Sequence, residues 1–173
     1  KKIKEDEFKA WQGLQDLRLN TIKANIELQT ALDDAAVKAG VMRESDAMKH
    51  KLDLTTAFYE EQIRIAEESA QKIAERTGLL TDKDKKEYAE AIAEKEGLQL
   101  RLQETMITSE AAIAEAKKTE NQEAEAFMAK LLNDRERQTE AERQAELEQI
   151  NRFYAQGRIS AQDYYDGLAA IDK

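Results

Sequence analysis

The chain has 173 residues and a formal net charge of −9, from 27 basic against 36 acidic side chains, and it contains neither Pro nor Cys. A deficit of Lys and Arg argues against non-specific binding to nucleic acid or to anionic membranes, since both need a cationic surface. Without Cys there are no disulfides and no thiol chemistry, which fits a reducing compartment without defining one.

Charged residues make up 36% of the chain and aromatics 6%, and the hydrophobic 41% is carried largely by Ala, Leu and Ile. Such a composition belongs to long helices and coiled coils. Disorder is the competing reading, and it loses because the apolar residues are periodic. No apolar run approaches the roughly 18 residues that span a bilayer, so no membrane is expected through this segment. The start, Lys1-Lys2-Ile3-Lys4, has neither an initiator Met nor a signal-peptide core, and the chain reads as a piece of something longer.

A turn phrase occurs three times, at Gly40-Val41-Met42, Gly78-Leu79-Leu80-Thr81-Asp82-Lys83-Asp84 and Gly157-Arg158-Ile159-Ser160-Ala161-Gln162-Asp163. In each copy a Gly able to take positive φ ends one helical pattern, an apolar residue stands two places on, and an Asp stands six places on, at Asp46, Asp84 and Asp163. The later two copies add a capping box, in which Thr81 or Ser160 accepts from the first free amides and Asp84 or Asp163 bonds back. The glycines are 38 and then 79 residues apart, about one and two units of one length. The spacing predicts an all-α rod of long helices, helical hairpins and coiled coil, with turns near 40, 78 and 157.

The first helix is expected from about Lys4 to Ala39, since Gly13 alone costs only about 1 kcal/mol. Phe8, Trp11, Leu14, Leu17, Ile22, Ile26, Leu28, Leu32 and Ala36 fall within roughly half its circumference. A stripe that wide suits two neighbours. The second helix is expected from about Glu44 or Ser45 to Arg76, with Met48, Leu52, Tyr59, Ile63, Ala66, Ala70 and Ile73 as its main seam. The short connection around Gly40 favours an antiparallel hairpin about 50 Å long.

A third helix starts at Asp82 and carries Tyr88, Ile92, Gln99, Leu102, Met106, Ile113 and Ala116 at three- and four-residue steps. Nothing between Lys117 and Asn121 forces a stop, so one helix is expected to continue to about Ala155, roughly 110 Å long; a break near Thr119 is the alternative. Asn133 to Glu148 is poor in apolar residues and reads as solvated helix or one strand of a thin oligomeric coil. After Gly157 a final short helix bears Tyr164, Tyr165, Leu168 and Ile171, and must dock, because an isolated helix below about 12–15 residues is marginal in water. The expected organisation is thus a hairpin plus the start of a long helix over 1–118, continuation of the charged helix over 119–156, and a turn with a docking helix over 157–173.

No catalytic, metal-binding or cofactor-binding residue is expected. His50 is the only histidine and reads as a rim residue, and the pattern lacks Glu-x-x-His pairs, a Gly-x-Ser-x-Gly elbow and a Gly-rich phosphate loop. The Asp residues after each Gly lack the alternating ligands and closing Glu of a calcium loop, and helix capping explains them. Phe153, Tyr154, Tyr164 and Tyr165 flank one turn of a chain otherwise poor in aromatics, and read either as local packing across that turn or as a partner-docking knob.

The run from Ile150 to Tyr165, with Phe153, Tyr154, Gly157, Ile159, Ser160, Asp163 and Tyr164, followed by Leu168 and Ile171, resembles the aromatic, Gly-x-Ile-Ser, acidic-Tyr phrase of helical regions in phage tail tape measure proteins. Gly78 to Ile92 is a looser match, and Gly40 to Leu54 departs further because Arg43 replaces the capping Ser or Thr. The resemblance implies a segment of a long helical protein that sets tail length, with tail tube subunits and tail assembly chaperones as partners alongside self-association. It also implies the bacterial host cytoplasm during assembly and the virion tail afterwards, and no catalytic residue. The competing reading is a coiled-coil interaction module of a cellular scaffold or secretion system.

Overall fold

The computed structural model describes residues 2–133 and 139–172. It is 90% helical, with α1 (Lys2–Lys38), α2 (Glu44–Thr77), α3 (Asp82–Leu132), α4 (Glu140–Ala155) and α5 (Ala161–Asp172) and no strand among the described residues.

The long helix expected from Asp82 to about Ala155 is two helices. α3 runs unbroken through Thr119, so the alternative break is absent as well, and it ends at Leu132. α4 opens behind Thr139, whose backbone is extended (φ −71°, ψ 159°) and whose hydroxyl accepts from the Glu142 amide at 3.2 Å. Thr139 and Glu142 have the spacing of a capping box, a start signal that the expectation of one continuous helix passed over. Of the stretch Asn133–Glu148 expected as solvated helix, residues 134–138 lie outside the described residues.

The chain forms two compact units, one of residues 1–30 and 50–110, the other of residues 31–49 and 111–173. In the first unit, the beginning of α1 lies antiparallel to α2. Arg76 stands 4.7 Å over the Phe8 ring, Lys72 lies 5.3 Å from the Trp11 ring, and further along Arg18 pairs with Glu61 at 3.0 Å. α2 and α3 are antiparallel as well, joined by ion pairs Arg76–Glu87 (3.1 Å) and Glu67–Lys95 (2.9 Å) around a core of Ala70, Ile73 and Ala91. The buried line of α3 here passes through Ala91 and Leu98, whereas Gln99 and Met106 of the expected seam are exposed. Beside Glu61, Arg64 donates to the carboxylate at 2.6 Å; that bond, opposed by desolvation and helped by the charges of Arg64 and Arg18, holds the acid below its usual range.

The second unit has its core at Met128, Leu131, Ile150 and Ile171, with Phe127, Leu147, Ile159, Tyr164, Leu168 and Ala170 packed against it. α5 settles on α4 through Gly167, where a Cβ would lie only 2.2 Å from Ile150 Cδ1. The missing side chain at that position is what lets the two helices approach.

Candidate interaction site: two interlocked glycine turns

Gly40, Gly78 and Gly157 all lie in the left-handed region, at φ of 77°, 64° and 68°. That region costs an L-residue roughly 1–2 kcal/mol. Around Gly40 the amides of Gly40 and Val41 donate back to the carbonyls of Val37 (3.0 Å) and Ala36 (3.1 Å), and around Gly157 the amides of Gly157 and Arg158 donate to Tyr154 (3.0 Å) and Phe153 (2.9 Å). Both are the same double-bonded helix stop. Gly78 differs. Its amide donates to Ala74 at 2.8 Å, and Leu79 follows it into the left-handed region at φ 54°. Leu79 is held there by packing on the Ala70/Ile73/Ala91 core and by its amide bond to Thr77 Oγ1.

The restarts are capped. Thr81 Oγ1 accepts from the Asp84 amide at 3.1 Å while Asp84 accepts from the Thr81 amide at 3.2 Å, a reciprocal box; Ser160 Oγ accepts from the Asp163 amide at 3.1 Å.

The first turn has no such side chain, and Arg43 stands where the cap would be. Its guanidinium instead reaches the other turn of the second unit: Nε donates to the Gln156 carbonyl at 2.6 Å and a terminal nitrogen to the Gly157 carbonyl. A cation there faces the carbonyl end of α4, where the helix dipole is negative. Gln156 answers with its side chain, Nε2 donating to the carbonyls of Gly40 (3.1 Å) and Met42 (3.4 Å). Arg152 lies so close over Gly40 that a Cβ there would meet its Cδ at 2.9 Å. The first and third copies of the turn phrase therefore fasten to each other.

The start of α2 is capped from a different helix. Glu120 of α3, 5% exposed, accepts from the Ser45 amide at 2.9 Å and from Ser45 Oγ at 2.7 Å, and Ser45 is fully buried. A carboxylate at the N-terminus of α2 answers both the unpaired amide and the positive end of the dipole. Neither Glu120 nor Ser45 stands out as a site in the sequence. The available signal was register, since Ile113, Ala116, Glu120, Ala124, Phe127 and Leu131 follow one another at three- and four-residue steps, which sets a carboxylate on an apolar seam.

The four aromatics divide. Phe153 is buried (4% exposed), packed edge-on against Phe127 at 5.2 Å with Arg158 5.1 Å above it. It has no surface to offer a partner. Tyr164 stacks on Tyr154 at 4.3 Å and donates to Asn151 Oδ1 at 2.6 Å, while Tyr154 and Tyr165 stay 43% and 64% exposed.

The first unit has an open groove of about 240 Å³ lined by Lys4, Glu7, Phe8, Trp11, Lys72 and Arg76 among others, with acids and bases of both signs around two rings. Among the described residues, no three His, Asp or Glu gather as a metal site, and no helix is long and apolar enough to cross a membrane. No protein-family model, curated protein or solved structure matches this chain.

Proposed function

We propose that this chain is a structural segment of a phage tail tape measure protein, acting as spacer and docking rod without turnover. The observation that carries the reading is the recurring turn phrase, above all the run from Ile150 to Ile171, each copy ending a helix at a left-handed glycine. In the first unit the helices lie side by side, which stores length. The ruler role belongs to the opened chain, in which each helical residue adds about 1.5 Å. Its partners in this reading are tail assembly chaperones while the tail grows and tube subunits afterwards, in the host cytoplasm and then in the virion. A second reading, a coiled-coil interaction module of a scaffold or secretion system, is favoured by Leu14, Leu17 and Leu28, each more than half exposed on α1.

Deletion in the parent phage separates the two. Removing residues 41–78 joins Gly40 to Leu79 and keeps the phase of the turns. Tails are expected to be shorter by about 57 Å, from 38 residues at 1.5 Å each. Unchanged tail length by electron microscopy, on viable particles, overturns the ruler role and leaves the interaction module.

A further inference from the structure

α1 is apolar on two faces, and the first unit covers one. Phe8, Trp11, Leu19, Ile22 and Ile26 are half-buried against the unit. Ala10, Leu14, Leu17, Thr21, Ala24 and Leu28 are all exposed, with Leu14, Leu17 and Leu28 at 63%, 64% and 57%. Their spacing alternates four and three residues without a break, so at 100° per residue they share an arc of about 80° along about 27 Å of helix. That is the seam of a two-stranded coiled coil with its partner strand missing. Thr21 fits it because its hydroxyl already donates to the Leu17 carbonyl at 3.0 Å.

We propose that this seam pairs with the same seam of a second copy, antiparallel, about a two-fold axis that crosses the seam at the height of residue 19, on the face opposite the Leu19 side chain. The order of large and small residues selects the partner and the direction. With the axis there, Leu14 faces Ala24 of the other copy, Leu17 faces Thr21 and Leu28 faces Ala10. Every layer then holds one Leu and one small residue, which gives an even spacing between helices at native packing density. A parallel pair in register would stack Leu14 on Leu14 and Ala24 on Ala24, alternately overfilling and emptying the layers. Arg18, the charged residue beside the axis, is already neutralised by Glu61 of its own chain at 3.0 Å, so it does not oppose the approach. This inference is independent of the tape measure reading, and either can fail alone.

Sedimentation equilibrium on the 173-residue chain from about 10 to 500 µM is expected to show reversible dimerisation, approaching twice the 19.7 kDa monomer mass. A monomer throughout overturns the proposal. Leu14→Glu, at an exposed position, is expected to leave the helical circular dichroism unchanged and weaken association by about 100-fold or more, since each dimer buries that leucine twice. A dimer that survives Leu14→Glu uses another face, and the seam is then wrong. Direction is read by oxidation, which is unambiguous because the chain has no cysteine. A mixture of Leu14→Cys and Ala24→Cys is expected to cross-link between unlike chains in preference to like ones. Two Leu14→Cys sites would lie about 15 Å apart along the antiparallel pair, beyond disulfide reach. Preferential Leu14→Cys self-linking shows a parallel pair and overturns the antiparallel one.

Discussion

Glu120→Ala is expected to destabilise the second unit by about 2–4 kcal/mol. Ser45 is fully buried, and both its amide and its hydroxyl donate to this one carboxylate, at 2.9 and 2.7 Å. Removing it leaves two buried donors without acceptors, at roughly 1–3 kcal/mol each, and removes a charge that favours the N-terminus of α2. Glu120→Gln keeps one acceptor oxygen but presents an amide NH2 to the other donor, so it should lose about half as much. Chemical denaturation followed by circular dichroism measures both. A loss below about 0.5 kcal/mol for the alanine variant would show that water or another group caps α2.

Ile150→Ala is expected to cost about 3–4 kcal/mol, within the range for large-to-small changes at buried aliphatic sites. Ile150 is completely buried, in a core with Met128, Leu131 and Ile171, and its Cδ1 occupies the space that a side chain at Gly167 would need. The same contact makes the reverse experiment informative. Gly167→Ala forces a methyl to within 2.2 Å of Ile150 Cδ1, an overpacking expected to cost about 1–3 kcal/mol. Ile150→Val removes the clashing carbon, so adding it to Gly167→Ala is expected to recover stability although Ile150→Val alone is destabilising. Strict additivity of the two substitutions would mean that the helices already stand far enough apart to admit the methyl.

Helix content and turn positions are legible in the sequence because both rest on local physics. Absence of Pro, a high share of helix-forming residues and glycines at the ends of periodic runs leave few alternatives, and Thr81, Asp84 and Ser160 bond to amides within three residues of themselves. Distant partnerships are not legible in the same way. Glu120 is one of 36 acids, and only its place on an apolar seam distinguishes it. Arg43 looks like a defect in the turn phrase when read alone, and its use appears only when the carbonyls of Gln156 and Gly157 are brought to it. Leu79 at φ 54° is hidden for a related reason, because local preference disfavours it and only packing holds it. The apolar half-circumference of α1 is visible in the sequence, but which part the chain itself covers is not, and Leu14, Leu17, Leu28 and Leu32 remain exposed. The end of α3 escapes notice because neither Gly nor Pro marks it, although Thr139 with Glu142 is the one Thr-x-x-Glu run in the chain and marks the start of α4.

That the first and last glycine turns form one fastening is tested most directly by a double-mutant cycle on Arg43→Ala and Gln156→Ala, with unfolding free energies from denaturant titration. Each side chain bonds to backbone carbonyls of the opposite turn, Arg43 to Gln156 and Gly157, Gln156 to Gly40 and Met42. Loosening the dock from either side should weaken the bonds made from the other, so the predicted coupling is about 1 kcal/mol or more, as for residues in one hydrogen-bonded network. Effects that add within about 0.3 kcal/mol, the behaviour of independent sites, would contradict it.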